Sequence, residues 1–243
     1  MTELATPPLA TQVAYTGLGW TEDSDEHVFL VCPGELEMNG VDPSTRVGWL
    51  PAVLSDRGLQ QMRICGMTLL SLLRSLELHV NTTAVFRSTE ECTVRALMYL
   101  EAHMKRAGEV GEPLEFDPDL VFPLGRLCDV DEGLGTNHTP AWLEERFGTS
   151  STEFLLGDVT QDVVARVISV LRGLGPLFPA QQAKLFVARE RPLQVIAHYL
   201  TTGQYPLDDE ALSLGVSPEE PIHLYRGLGE SLFKPGPRPL QQQ

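Results

Sequence analysis

Residues 27–35 read His27-Val28-Phe29-Leu30-Val31-Cys32-Pro33-Gly34-Glu35, and this stretch decides the fold. Five residues rich in Val, Leu and Phe without a polar interruption read as a strand buried on both faces, and Pro33-Gly34 ends it in a turn. Working outward, short apolar runs alternate with helical spacing. Ser55 stands at an N-cap position ahead of Leu59, Met62, Leu69 and Leu73, which share one side of a helix. Residues 83–86 predict a second short strand, followed by a helix with Val94, Leu97 and Met98. Val159, Val163, Val167, Ile168 and Leu171 recur at helical spacing up to Gly173 and Gly175. Residues 185–188 predict a third strand, Pro192 fits a first helical turn before Leu193, Ile196 and Leu200, and residues 222–225 predict a closing strand. Strand and helix alternating at these lengths imply a three-layer α/β/α fold around a mostly parallel sheet. Ligands of such sheets sit at the carboxyl ends of the strands, so the loops beginning at Cys32, Arg87 and Arg189 are where chemistry is expected.

The flanks differ from this pattern. Residues 1–26 are polar with paired Pro7 and Pro8, and residues 231–243 are proline-rich and end in glutamines. They read as an N-terminal extension and a C-terminal tail around one domain spanning 27–230. The chain has 243 residues and a formal charge of −15, from 33 acidic against 18 basic side chains. Such a balance repels nucleic acid and anionic membrane and suits docking on a basic neighbour. No apolar run reaches the roughly 20 residues that span a bilayer. Residues 1–26 carry no Arg or Lys, so neither a secretory n-region nor a transit peptide is legible there. The four cysteines, 32, 65, 92 and 128, include no CxxC pair, which argues against a thiolate zinc site and fits a reducing compartment inside the cell.

Several blocks in order resemble the histidine phosphatase, or phosphoglycerate mutase-like, superfamily. Cys32-Pro33-Gly34-Glu35 stands where that family has Arg-His-Gly-Glu at the end of its first strand. Asn39, Arg46, Gly48-Trp49 and Leu54-Ser55-Asp56-Arg57-Gly58 are similar in order and spacing to the stretch that follows in the cofactor-dependent mutases. Phe86-Arg87-Ser88 resembles a second block, with Cys92 at its Arg position. Leu127-Cys128-Asp129 through Gly133 is similar to a third, with Asp129 at the acid position, and residues 142–147 resemble the short helix after it. Lys184 through Glu190 matches the last block, with Arg189 where the family has its second His.

The resemblance implies a phosphoglycerate mutase-like fold over residues 27–228, and it implies a chemistry this chain lacks the parts for. In the family the first His attacks phosphorus, two Arg and the second His hold the phosphoryl oxygens, and an acid protonates the leaving group. Pro33 offers no nucleophile, and Cys32 and Cys92 replace fixed guanidinium charge with weak thiol donors. Losing one such donor raises a barrier by about 2.7–4 kcal/mol. The pocket so defined comprises Cys32, Pro33, Gly34, Glu35, Arg46, Ser88, Cys92, Asp129 and Arg189, and the expectation is a non-catalytic pseudoenzyme with no catalytic residue, cofactor or metal.

Other readings compete at these positions. Cys32 as a nucleophile needs a phosphate-cradling loop, which Cys32-Pro33-Gly34-Glu35 does not resemble. A metal bound by Cys32, Cys92 and Cys128 lacks a His at ligand spacing. Arg46, Arg189 and Arg191 either bind an anion without turning it over or sit in salt bridges. His198 reads as a structural helical residue, and His138 and His223 receive no role. Three functions remain in view: a structural or interaction subunit of a larger assembly, with other protein subunits as partners; a regulatory pseudophosphatase holding a phosphorylated ligand or acidic peptide; and an enzyme with new chemistry at Cys32 or Asp129. Mitochondrial and ciliary complexes reuse old enzyme folds in the first way, which makes them settings by analogy for such a subunit beside the cytoplasm.

Overall fold

The computed structural model describes residues 25–37, 52–108, 113–130, 138–149, 157–174, 183–206, 212 and 215–236. Arg46, Asn39, Gly48, Trp49, Gly133 and most of the two flanks lie outside these residues.

The elements follow the alternation of the sequence. Strand β1 (Glu26–Val31) is followed by the two-residue strands β2 (Leu36–Glu37) and β3 (Val53–Leu54), which pair antiparallel, and by helix α1 (Asp56–Ser75). Strand β4 (Ala84–Arg87) leads to α2 (Glu91–Ala107), β5 (Val121–Pro123) and the short α3 (Pro140–Phe147). Then come α4 (Thr160–Leu174), β6 (Lys184–Val187), α5 (Glu190–Thr202), β7 (Ile222–Arg226) and β8 (Lys234–Pro235). The main sheet has the order β5-β4-β6-β1-β7-β8. Its first four strands are parallel, and β7 and β8 each run antiparallel to their inner neighbour.

Two apolar layers cover the sheet. Phe29, Val31, Val85, Leu185 and Val187 face α1 and α2, whereas Val28, Leu30, Phe86 and Phe186 face α4 and α5. The alternation is the period-2 geometry of a strand, and burial on both faces explains why residues 28–31 show no polar position. Ser55 caps α1 as expected, its Oγ accepting from the Gly58 N–H at 3.0 Å. Gly66 lets α1 and α2 approach closely, since a Cβ there would lie 2.9 Å from the Leu100 carbonyl oxygen.

The sequence reading needs correction at two points. Met98 is 66% exposed, because the buried stripe of α2 runs through Cys92, Ala96, Leu97, Leu100 and Met104. Helix α4, by contrast, ends at Leu174, where the apolar spacing ends. Lys234–Pro235, read as part of the tail from 231, forms the edge strand β8, with Phe233 buried beside it. A two-residue strand with a proline carries almost no hydrophobic period, so pattern alone did not reveal it.

Candidate functional site

The ends of β1, β4 and β6 are level, with Val31, Arg87 and Val187 in register. Each strand therefore delivers its next residues to one place: Cys32, Ser88 and Arg189. A cavity of about 550 Å³ opens there, lined by Cys32, Pro33, Gly34 and Glu35 from the first loop, Asp129 and Val130 from the third, and Arg189, Glu190 and Arg191 from the last. Two of the three loops singled out by pattern, those beginning at Cys32 and Arg189, thus line it together with the Asp129 loop, and the loop beginning at Arg87 does not. Ser88 and Cys92 are buried and do not line the cavity.

The first loop is held against α1 from both sides. The Ser55 N–H donates to the Glu35 carbonyl at 2.9 Å, and the Glu35 N–H donates to Gln61 Oε1 at 2.7 Å. Ser55 Oγ donates to Glu35 Oε1 at 3.1 Å. Gly34 and Gly58 touch through their backbones, so the Cys32-Pro33-Gly34-Glu35 turn is seated on the first turn of α1.

The most consequential contact is made by Arg189. Its Nε lies 3.0 Å from Asp129 Oδ2, and its Nη1 lies 3.8 Å from Glu90 Oε1. Glu90 is fixed in turn: Oε2 accepts from Ser88 Oγ at 3.0 Å and from the Asp129 N–H at 3.2 Å. Ser88 Oγ and Thr93 Oγ1 are 2.9 Å apart, which ties the network into the start of α2. From α4, Arg166 donates to the Asp129 carbonyl at 2.7 Å and to Asp158 Oδ2 at 2.8 Å, and also bonds the Cys128 carbonyl. The guanidinium of Arg189 is therefore neutralised from within the chain. Arg191 Nη1 is 3.4 Å from Thr160 Oγ1.

The thiols are equally quiet. Burial pushes Cys32 up to about 12, with Glu190 adding to the shift and Arg189 opposing it. Burial does the same to Cys92, again to about 12, with Glu90 adding. At neutral pH both stay protonated and neither is a strong nucleophile. Among the described residues there is no group of three or more His, Cys, Asp or Glu side chains placed to hold a metal ion, and no helix is long and apolar enough to cross a membrane.

Sequence reasoning missed Glu90 and Arg166. Glu90 was legible as an acid directly before a helix and two residues after Ser88. Arg166 carried a weaker signal, a cation beside the apolar run Val163, Val164 and Val167. Neither position shows from sequence that it faces Asp129.

Glu90 has a testable signature. Burial raises its carboxyl above the ordinary value, Arg189 opposes and Asp129 adds. A raised carboxyl contributes stability that is complete below its unfolded pKa and lost as pH rises through the folded one. Glu90→Gln lacks that dependence. Its Tm is therefore expected to gain on the wild type as pH rises from about 4.5 toward 7. A gap that stays constant or moves the other way in a thermal-melt series would refute the assignment.

A mostly parallel, three-layer α/β/α sheet with its pocket at the carboxyl ends of β1, β4 and β6 defines the architectural class, and the comparisons make it specific: the chain has the phosphoglycerate mutase-like fold of the histidine phosphatases. It is similar to a phosphoglycerate mutase from Bacillus anthracis, with 12% identity, a TM-score of 0.58, and 88% of this chain and 93% of that one covered. It is similar to the α-ribazole phosphatase of Shigella flexneri, with 15% identity and a TM-score of 0.57 over 87% of this chain and all of that one. A mycobacterial glucosyl-3-phosphoglycerate phosphatase aligns at 13% identity and a TM-score of 0.57, covering 88% and 98%. No family model matches the sequence, and no curated protein matches it either.

Proposed function

We propose that this chain is a non-catalytic member of the histidine phosphatase superfamily that serves as a structural or interaction subunit of a larger assembly. The observation that carries the reading is the Arg189–Asp129–Glu90 network. Phosphoryl transfer runs on concentrated positive charge around the transferring group. Here the guanidinium at the strand ends is matched by two carboxylates, and at the pocket mouth Arg191 stands beside Glu190 while Glu35 pairs with Arg57 at 3.4 Å, so no concentrated positive charge is left. By the order of blocks, Pro33 falls where the family has its attacking imidazole and Cys32 and Cys92 where it has guanidinium groups, and burial holds both thiols protonated. The solved neighbours named above are a mutase and phosphatases, and on this reading the chain shares their fold without their chemistry.

The same network weighs against phosphate sensing. A phosphorylated ligand gains from Arg189 only by displacing Asp129 and Glu90, which costs two largely buried carboxylates their neighbouring cation. Repurposed chemistry at Cys32 meets the protonated thiol. A subunit role asks nothing of the pocket, and a formal charge of −15 complements a basic partner surface.

Native size in a gentle extract, with mass spectrometry of whatever co-migrates, tests this directly. The expected result is migration in a complex well above the 26.8 kDa of one chain. Purified protein is expected to show no turnover of aryl phosphates above the buffer rate, and millimolar phosphate esters are expected to leave its Tm unchanged. Migration as a lone chain would overturn the assembly role, and measurable phosphatase turnover would overturn the non-catalytic one.

A further inference from the structure

The far side of the sheet carries a histidine pair that the pocket does not involve. His27 on β1 and His223 on β7 place Nδ1 and Nε2 3.0 Å apart, with the rings stacked at 5.3 Å. Phe29 stacks on the other neighbour side of His223 at 4.8 Å, and Tyr225 lies 5.2 Å from the His27 ring. His223 is buried. Over its ring runs Gly236, placed so tightly that a Cβ there would lie 2.1 Å from His223 Nδ1. The Gly236 N–H donates to the His223 carbonyl at 2.9 Å.

A contact between two ring nitrogens needs one donor and one acceptor. Either tautomer arrangement supplies them when both rings are neutral, and so does a pair sharing a single added proton. Two protonated rings leave no acceptor and set two cations at this separation in a partly buried place. The rings have nowhere to separate within the sheet, since Phe29 and Gly236 confine His223. What can yield is β8, a two-residue edge strand paired only through Leu224↔Pro235 and Tyr225↔Lys234. Phe233, whose N–H donates to the Leu200 carbonyl at 3.0 Å, anchors the chain just before it and limits the movement to residues 234–236.

We propose that the His27–His223 pair is a pH-operated latch, which holds β8 and Gly236 on the sheet while at most one ring is protonated and releases them when both are. The charged and titratable neighbours come from every adjoining strand: Asp25 before β1, Lys184 on β6, Tyr225 on β7, and Lys234 on β8 with its partner Glu230. Lys184 adds to the repulsion of a doubly charged pair, and Asp25 opposes it. Burial holds His27 below the ordinary imidazole range, with Asp25 opposing and Lys184 adding, so release falls on the acid side of neutrality.

Hydrogen exchange on the full chain, corrected for intrinsic rates, reads the latch at about pH 7.5 and about pH 5. Protection of the Lys234 and Gly236 amides, the two that flank Pro235, is expected to fall roughly tenfold or more at the lower pH while β6 stays protected. His27→Gln, which retains a polar partner for His223 but cannot take a second charge, is expected to keep that protection at both pH values. Equal protection at the two pH values in the wild type, or the same loss in His27→Gln, overturns the proposal. Should the variant fold poorly, ring titration of the wild type by NMR decides. Two separate steps, with β8 amide signals moving at the second, are expected; one joint step with β8 unmoved overturns it.

Discussion

Replacing Glu26 by Ala is expected to lower stability by about 3–5 kcal/mol, among the largest effects available to a single side chain in this protein. Glu26 is 1% exposed at the start of β1. Arg226 Nη2 lies 3.2 Å from one of its oxygens and Lys184 Nζ 4.0 Å from the other. Lys184 and Arg226 are 3% and 6% exposed. Three charges are thus enclosed at the end of the sheet opposite the pocket, joining β1, β6 and β7. Burial pushes the Glu26 carboxyl up and the Lys184 amine down, each toward its neutral form. The triad is therefore poor as a source of net stability and costly to break, because removing the anion strands two buried cations. Urea unfolding separates these statements. Glu26→Ala should shift the midpoint strongly, whereas Glu26→Met combined with Lys184→Met and Arg226→Met should recover most of the loss. A mild Glu26→Ala effect, below about 1 kcal/mol, would mean that water or local movement already solvates the cations.

Gly58→Ala is expected to destabilise the protein by about 1–3 kcal/mol or more, against the sign that helix propensity alone predicts. Gly58 is the third residue of α1, where alanine is ordinarily favoured by about 1 kcal/mol. Its Cα, however, lies against the first loop: a Cβ would fall 2.2 Å from the Glu35 carbonyl oxygen. The relation is reciprocal, since a Cβ on Gly34 would fall 2.2 Å from the Gly58 carbonyl oxygen. Both obstacles are backbone, so no rotamer change relieves them. A methyl at either position has to lift the Cys32–Glu35 turn off α1 and break the Ser55–Glu35 and Glu35–Gln61 hydrogen bonds. Thermal melts measure the loss, and alkylation of Cys32 reports whether the turn has lifted. A Gly58→Ala variant as stable as the wild type, with Cys32 no more reactive, would sink the argument.

The two predictions also mark how far the sequence could be read. Gly34 and Gly58 were each visible in a motif, yet nothing in either motif says that they touch across the 23 residues between them. The charged triad was invisible. Glu26 sat in a polar run assigned to the extension, Lys184 stood just before one expected strand, and Arg226 stood just after another. Burial of all three follows from the pairing of β1 with both β6 and β7, which no local pattern encodes.

Local chemistry is what the sequence by itself determined. Two-sided hydrophobic runs made the strands of the parallel sheet, the Ser55 cap and apolar spacing made the helices, and the order of blocks pointed to a phosphoglycerate mutase-like fold. Pro33 and Cys32 after β1 and Cys92 in the first turn of α2, set against the family resemblance, raised the expectation of a pocket without phosphoryl-transfer machinery. Tertiary structure alone decided what each polar side chain meets. Asp129 and Glu90 meet Arg189, His27 meets His223, and Glu26 meets Lys184 and Arg226. The reason is range: backbone conformation and amphipathic period are set within a few residues, whereas ion pairs and ring contacts are made between elements about 40 to 200 residues apart, whose meeting depends on the register of the whole sheet.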